Sequence, residues 1–515
     1  MRTLLADLAF RSLPGALSAT SVEVTQVQLV ALCQAVRDAG GRLVTLWGED
    51  RRRENAGYCL CVALEYANSV AVAELPLRSE TPTYADLSAI FPSASRLQRA
   101  TYDLCGLRAL GGDTRPWLRH AAWPSAVFPL RKDAVFVPAA SSDSAAAYPF
   151  VQVEGDGVHE IAVGPVHAGT IEPGHFRFSV VGEKVLRLEE RLGYAHKGIE
   201  KRFEGMNASE GARLAARVSG DSAVAYSWAY AIAIEAITGT IPSPRALTLR
   251  GVLLERERLA NHLGDLGALG NDAGLAFGLS QFSRLKEDLL RANAAVWGQR
   301  YPMDAIVPGG VRDDVGADAA RKLGAGLQAI AVELKRLHEI YDNHAGLEDR
   351  FMGAGRLSNA LAAQLGVVGL AARASGQPQD WRSQFPIAPY EPGTHKPIVR
   401  SSGDVAARVA VRFDEASASI ALCQRWLAAI PEGPLFLPLG TVHTEELGVG
   451  GVEGWRGPVF VAVRLDESGR IRRCHPHDPS WHNWPALEHA IIDNIVPDFP
   501  LINKSFNFSY SGHDL

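Results

Sequence analysis

The feature that most constrains this chain is a change of hydrophobic period near Phe203. Beyond it, apolar residues recur at i, i+3 and i+4 over 209–238, 245–269, 281–297, 317–343, 358–374 and 404–429, the spacing of helices with a buried stripe. The expected core is therefore a bundle of long helices. Pro242 and Pro244 are read as ending one helix and starting the next, because proline lacks a backbone donor. Ahead of the change the pattern is mixed. Strand-like runs at 41–47, 58–64 and 69–75 accompany a helical pattern at 25–39, which reads as a small α/β domain. The stretch VFVPAASSDSAAAY at 135–148 is rich in small residues, Ser and Pro, and reads as a linker. After it, 158–163, 175–181 and 184–192 read as three strands with glycine turns. Near the end, 458–465 and 471–475 read as a hairpin, followed by a helix at 484–494 and an irregular tail to Leu515. The expected fold class is α+β: an N-terminal α/β domain over 1–140, then a large, mainly helical domain with small antiparallel sheets over 150–515.

Composition excludes several functions. A chain of 515 residues with 47% hydrophobic and 21% charged residues is globular. Its 52 basic against 57 acidic residues give a net charge of −5, so no basic field exists to hold nucleic acid or anionic lipid. The 6 cysteines (Cys33, Cys59, Cys61, Cys105, Cys423, Cys474) form no C-x-x-C pair and suit a reducing cytosol. Cys59 and Cys61 are read as alternating to opposite faces of a strand, and so as no metal site. The N-terminus carries an Asp and polar residues where a signal peptide needs an apolar core, and no uncharged apolar run reaches the length of a membrane span. A soluble chain without an anchor is expected. Gly448, Gly450, Gly451 and Gly454 lie before Trp455-Arg456-Gly457 and a strand, outside any βαβ unit, so they are not read as a dinucleotide loop.

Three segments concentrate His, Arg, Glu and Gly: Gly164-Pro165-Val166-His167, Glu172-Pro173-Gly174-His175-Phe176-Arg177, and the run Arg191-Leu192-Gly193-Tyr194-Ala195-His196-Lys197-Gly198-Ile199-Glu200-Lys201. Singly they read as turns on a solvated face. Their order continues through Glu255-Arg256-Glu257-Arg258-Leu259-Ala260-Asn261-His262, Gly403-Asp404-Val405-Ala406-Ala407-Arg408 and Asp498-Phe499-Pro500-Leu501-Ile502-Asn503-Lys504-Ser505-Phe506. In that order the motifs resemble the large subunit shared by group 4 nickel-iron hydrogenases and the 49-kDa quinone-site subunit of respiratory complex I. Phe91-Pro92-Ser93-Ala94, Arg99, Tyr102-Asp103-Leu104-Cys105-Gly106 and Pro129-Leu130-Arg131-Lys132-Asp133 resemble the complex I 30-kDa subunit. That subunit is fused ahead of the large one in the formate-hydrogenlyase type. Gln98 and Ala100 depart from the glutamates usual there.

The resemblance sets expectations for the site. The hydrogenases hold nickel and iron with two C-x-x-C pairs, because soft thiolates bind these metals. Here those positions are Ser219, Ser222, Ser509 and Gly512. Hydroxyls that stay protonated cannot replace thiolates, so the resemblance implies a subunit without hydrogenase activity. Complex I binds quinone with a loop His and a Tyr. His167 takes the loop position, Gly220 stands at the Tyr position, Ser219 at the preceding Asp, and Tyr226 and Tyr510 are the alternative phenols. Arg217, Asp221, Glu255, Arg258 and His262 are expected on helices lining the old cavity, as proton relays or as structural ion pairs. The candidate catalytic set is thus His167, Asp221, Glu255, Arg217 and His262, and the candidate cofactor-binding set His167, Ser219, Ser222, Tyr226 and Ser509, with no metal ligand. His196, Glu200 and Lys201 read equally as site or structure. Trp481-His482-Asn483-Trp484 reads as a packed surface or core plug. A rebuilt site of Asp221, His513 and Asp514 would suit Mg or Mn.

The resemblance further implies no cofactor on this chain, a 4Fe-4S cluster in a partner and quinone or another small oxidant or reductant as occupant of the emptied cavity. Implied partners are an iron-sulfur small subunit, a ferredoxin-like subunit and antiporter-like membrane subunits, with the chain on the cytoplasmic face of the cell membrane and redox chemistry coupled to ion translocation. The alternative is a structural coupling subunit: a working cavity stays open, whereas a scaffold is collapsed and dry there.

Overall fold

The computed structural model describes residues 8–515 apart from 55, 79, 121–122, 136–147, 169–170 and 443–445. The expected boundary near 140 and most of the expected linker lie outside the described residues.

Strands β1 (Arg11–Leu13), β2 (Ala19–Glu23), β3 (Arg42–Asp50), β4 (Tyr58–Tyr66) and β5 (Ser69–Leu77) form a sheet in the order β1-β2-β5-β4-β3. Only β2 and β5 run parallel. Helix α1 (Gln26–Asp38) opens with a capping box between Thr25 and Gln28. It packs on one sheet face together with α2 (Ala94–Cys105), a helix the sequence reading does not anticipate. Leu60, Val62 and Leu64 of β4 face these helices, whereas Cys59, Cys61 and Ala63 face Trp381, Phe385, Val449 and Phe460. Both faces are buried, which explains the unbroken apolar run of β4. The expectation for Cys59 and Cys61 is corrected here: side chains alternate every residue, so i and i+2 share a face, and the two sulfurs lie 3.8 Å apart.

Strands β6 (Val158–Val163), β7 (His175–Val181) and β8 (Lys184–Arg191) form an antiparallel sheet in the order β8-β7-β6, within a residue of expectation. The expected helix over 209–238 is two helices, α3 (Ala208–Ala215) and α4 (Ala223–Thr238). The break falls at Ser219-Gly220-Asp221-Ser222, short polar residues that bond locally instead of continuing a helix. Gly239, left-handed at φ 64°, ends α4 before Pro242 is reached. Pro244 opens α5 (Pro244–Asp272) behind an N-capping Ser243. Helices α6 (Ala276–Trp297), α7 (Ala317–Asp342) and α8 (Val405–Ala428) complete the bundle, with α5 packed against both α6 and α8. Because α5 is enclosed along most of its length, Arg250, Glu255, Arg256, Glu257, Arg258, His262 and Asp265 are all buried. The expected helix over 358–374 divides at Gly366, φ 71°, into Asn359–Leu365 and Gly369–Ala374.

Gly448, Gly450 and Gly451 of the glycine run lie in strand β9 (Glu446–Glu453), which pairs with β10 (Pro458–Leu465), itself paired with β11 (Ile471–His477). A Cβ at Gly450 would lie 2.0 Å from the Ala229 carbonyl, and one at Gly448 2.1 Å from that of Ala233. The glycines let α4 rest directly on the strand. Helix α9 (Ser480–Ala490) starts four residues before the expected 484, and Trp481, His482, Asn483 and Trp484 are all buried, the core-plug alternative. The expected irregular tail contains α10 (Phe499–Phe506) and a turn of helix at Ser511–Asp514. Among the described residues no helix is long and apolar enough to cross a membrane.

Candidate functional site

The break between α3 and α4, the β6–β7 loop, the turn after β9 and the segment after α10 meet at Asp221. Its carboxylate accepts from Arg456 Nη2 at 2.5 Å and Nη1 at 2.8 Å, and from Ser219 Oγ at 2.8 Å. Ser222 Oγ lies 3.3 Å from the same carboxylate, and Ser219 Oγ lies 3.2 Å from Ser509 Oγ. Three of the four positions that the resemblance matches to the metal-binding cysteines of the hydrogenases therefore converge here. The fourth, Gly512, has no room for a side chain: a Cβ would lie 2.3 Å from Asp478 Oδ2. Asp478 is fixed by Tyr226 Oη at 2.7 Å and by the Ser480 amide at 2.8 Å. These positions do not fit a nickel-iron centre. None presents sulfur, a carboxylate fills the fourth place, and the Arg456 guanidinium, stacked 3.9 Å from the Trp455 ring, sits among the serines.

Electrostatics keep this knot ionised. Burial alone would raise the Asp221 carboxyl, but Arg456 and the two serine hydroxyls outweigh it and hold the group at about 2. Behind it lies a group the sequence reading did not single out, Glu257 of α5. Its carboxylate accepts the Val224 and Ala225 amides at 2.7 and 3.1 Å, satisfying first-turn donors of α4, whose N-cap Ser222 makes no side-chain cap. Burial pushes Glu257 up, the two amides pull it back, and nearby Asp221 raises it again, leaving it at about 8.

Beside the knot the protein is open. A cavity of about 480 Å³ is walled by Val163, Ile171, Phe176, Phe499 and Phe508, with His167, Tyr510, Asp221 and Arg456 among its polar groups and Glu172, Asp272, Asn503, Lys504 and Asn507 adding further polar lining. A second cavity, about 440 Å³, is lined by Asn261, Asp265, Lys286 and Tyr301 and shares Asp221, Lys504 and Asn507 with the first. His167 Nε2 bonds the Gly174 carbonyl at 2.8 Å. That fold-back depends on Gly164, φ 78°, where a Cβ would meet both that carbonyl and the imidazole.

The expected site residues thus divide. His167, Ser219, Asp221, Ser222 and Ser509 come together, and Tyr226 lies one layer behind through Asp478. Glu255 and His262 do not line either cavity. Glu255 is enclosed by Arg258 at 3.1 Å, Tyr390 at 2.6 Å and Ser419 at 2.5 Å; Arg258 and Arg382 overcome burial and hold it at about 2. His262 Nε2 meets Glu415 at 3.0 Å, and Glu415 pairs with Arg373 at 2.8 Å. Arg217 points to the surface, paired with Asp304 at 2.6 Å and 43% exposed. Glu255 and His262 lie outside both cavity linings, whereas Asn261, Gly264 and Asp265 of the same helix line the second cavity. Glu200 bonds His475 at 2.6 Å and Arg473 at 2.8 Å, His196 bonds the Asp514 carbonyl at 2.7 Å, and Lys201 pairs with Glu204 at 2.9 Å, all away from the cavity residues. His513 and Asp514 bond each other at 2.7 Å. Among the described residues they form no metal-sized cluster with Asp221. Arg456, Asp478 and Glu257 are the additions. Glu257 stood in view within the Glu255–His262 motif, but Arg456 and Asp478 are brought in by tertiary contacts that no local spacing encodes.

Comparison with known proteins agrees with this architecture. Residues 272–446 match the family "Respiratory-chain NADH dehydrogenase, 49 Kd subunit" and residues 22–139 match its 30 Kd subunit family. The chain is 30% identical over 484 residues to formate hydrogenlyase subunit 5 of Escherichia coli, covering 92% of this chain and 85% of that one. It is 30% identical over 377 residues to NADH-quinone oxidoreductase subunit 4 of Thermus thermophilus, covering 68% and 92%. A chain of the archaeal membrane-bound sulfane sulfur reductase shares the fold, with a TM-score of 0.65 at 24% identity over 70% of this chain and 98% of that one. The chain therefore belongs to the family that unites the large subunits of formate-hydrogenlyase-type hydrogenases with the 30-kDa and 49-kDa subunits of NADH-quinone oxidoreductase, and within that family it lacks the nickel-iron cysteine ligands.

Proposed function

We propose that this chain is the large subunit of a hydrogenase-like, complex I-like electron-transfer complex in which the Asp221 cavity receives a quinone-type carrier and no nickel-iron centre, so that the complex has no hydrogenase activity. The observation that carries this reading is the contrast at one place: the metal position is filled by Asp221, Arg456 and Asp478, while an aromatic-walled cavity stays open beside it. A quinone, when bound, accepts two electrons and two protons. His167 and Tyr510 would orient its polar head, Phe176 and Phe508 would pack its ring and exclude water, and Asp221 with Arg456 would fix the charge at the inner end. Glu257, behind Asp221 and at about 8, is suited to hold or release a proton at neutral pH, and burial also raises Asp272, a carboxyl that lines the cavity itself.

Electrons would come from a 4Fe-4S cluster on an iron-sulfur small subunit. A ferredoxin-like subunit and antiporter-like membrane subunits would complete a complex on the cytoplasmic face of the membrane, with redox chemistry coupled to ion translocation. The name of one relative, a membrane-bound hydrogenase subunit alpha of Pyrococcus furiosus, supports association with a membrane. The reading is tested on the complex purified from native membranes. Iron and acid-labile sulfide without nickel, together with quinone binding that is lost in His167→Ala, are expected. Stoichiometric nickel on this chain would overturn it. A second reading, a coupling subunit that does no chemistry, is favoured by the collapse of the metal position itself. It requires quinone binding to be absent from an intact complex.

A further inference from the structure

Among the described residues, one group of three His, Cys, Asp or Glu side chains brings its ligand atoms within 4.8 Å of one another: Cys59, Cys61 and Glu74. It lies in the N-terminal sheet, away from the Asp221 cavities. Cys61 and Glu74 are directly opposed across β4 and β5, and Cys59 is two residues along the same face. We propose that Cys59, Cys61 and Glu74 form a binding site for a soft divalent cation of the zinc class.

Three features of the geometry carry this. First, the sulfurs are 3.8 Å apart. Zinc-thiolate bonds of about 2.3 Å at a tetrahedral angle put two sulfurs about 3.8 Å apart, so the pair already has the spacing of two ligands on one tetrahedral ion. A disulfide suits the pair less well. Residues i and i+2 of an extended strand are about 6.6 Å apart at Cα, at the upper limit of bridged pairs, and β4 is hydrogen-bonded on both sides by β3 and β5, which resists the necessary buckling.

Second, the surroundings balance charge. Arg51 pairs with Glu49 at 2.6 Å and Glu74 at 2.7 Å, and Arg464 of β10 approaches the same two carboxylates at 3.2 Å. Two acids and two arginines cancel, leaving the thiols neutral. A divalent ion that replaces the two thiol protons, M²⁺ + 2 RSH → M(SR)₂ + 2 H⁺, leaves the total charge of the buried cluster unchanged. The new thiolates then face Arg51, whose Nη2 is 3.8 Å from Cys61 Sγ. Third, a carboxylate oxygen of Glu74 lies within 4.8 Å of both sulfurs, while both arginines contact that carboxylate at Oε2. Glu74 is 14% exposed where the cysteines are buried, so it marks the side from which an ion enters and a water supplies the fourth ligand. Since each ion displaces two thiol protons, uptake is proton-coupled and strengthens as pH rises. The cysteines sit on the face that meets β9 and β10, and the ion would cross-link β4 to β5 beneath that seam.

The test uses the full-length chain, reduced and stripped with a chelator, then titrated with Co²⁺ and back-titrated with Zn²⁺. One Co²⁺ per chain is expected, with a thiolate-to-cobalt charge-transfer band in the near ultraviolet, displaced by Zn²⁺ with release of two protons per ion. The band should vanish in Cys59→Ser and Cys61→Ser, and Co²⁺ should bind at least tenfold more weakly to Glu74→Gln. A folded wild-type chain with no such band overturns the proposal, whether or not the variants fold. A band retained in the Cys59→Ser, Cys61→Ser double variant also overturns it.

Discussion

Replacing Glu257 by Gln should remove a pH dependence of stability that the fold builds into α5. The carboxyl moves from its ordinary 4.5 to about 8 on folding, mainly by burial, with Asp221 and Arg258 acting in opposite senses. A group raised in the folded state stabilises the protein fully below its unfolded value. That stability is lost as pH rises through the folded value, because the folded chain keeps a proton that the unfolded chain has released. At about 1.4 kcal/mol per pH unit, the change from 4.5 to about 8 corresponds to a loss on the order of 5 kcal/mol between those two pH values. The Val224 and Ala225 amides donate to different Glu257 oxygens, so the substituted glutamine keeps an acceptor for one of them, a pH-independent cost, and carries no titratable proton. Urea unfolding of wild type and Glu257→Gln from pH 5 to pH 9 measures the difference directly, and groups that titrate alike in both chains cancel. The variant should gain on wild type by several kcal/mol across that range, nearly all of it by pH 8. A constant difference would refute the account of Glu257 as a buried, proton-holding carboxyl.

Arg456→Met should destabilise the chain by about 2 kcal/mol, less than a fully buried pair would cost because Asp221 is 35% exposed; denaturant midpoints measure it, and Asp221 should then titrate upward by NMR. Gly512→Ala drives a Cβ against the Asp478 carboxylate and should cost about 1–3 kcal/mol, read as a lower Tm. Gly450→Ala meets the Ala229 carbonyl, a backbone atom that cannot rotate away, and should cost about 3 kcal/mol or more, with the helical circular-dichroism signal as the check on whether α4 survives.

The long helices were legible because period carries burial: α5 to α8 lie within a few residues of their apolar stripes. Where the expectations missed, a tertiary contact had replaced a local signal. Strand β9 is glycine-rich because α4 presses on it, which removes the β-branched residues that announce a strand. Helix α2 carries Arg96, Gln98, Arg99 and Asp103 into buried positions, so its apolar pattern is diluted. At the site, Ser219, Ser222 and Ser509, singled out from the sequence, all lie around Asp221. The partner that neutralises Asp221 was not legible, since Arg456 arrives from a turn 235 residues away.

The buried charges of α5 fall into two classes, and the distinction decides between relay and scaffold. Glu255 is held at about 2 by Arg258 and Arg382 and meets Tyr390 and Ser419 as well. Protonating it at neutral pH would forfeit most of those contacts, so it is an anchor. Glu257 meets only two amides and sits at about 8, so its proton can come and go near neutral pH at little cost. Buried ion pairs are rarely the most stabilising choice for a core, yet removing one partner strands the others. Glu255→Gln leaves the guanidiniums of Arg258 and Arg382 short of a counter-charge and should cost about 3–5 kcal/mol, lowering yield of the assembled complex with little change in turnover per assembled complex. Glu257→Gln should assemble normally and alter the pH profile of turnover. If instead Glu255→Gln assembles fully and shifts that profile while Glu257→Gln leaves it untouched, the proton path runs through the ionic network and not through the group behind Asp221.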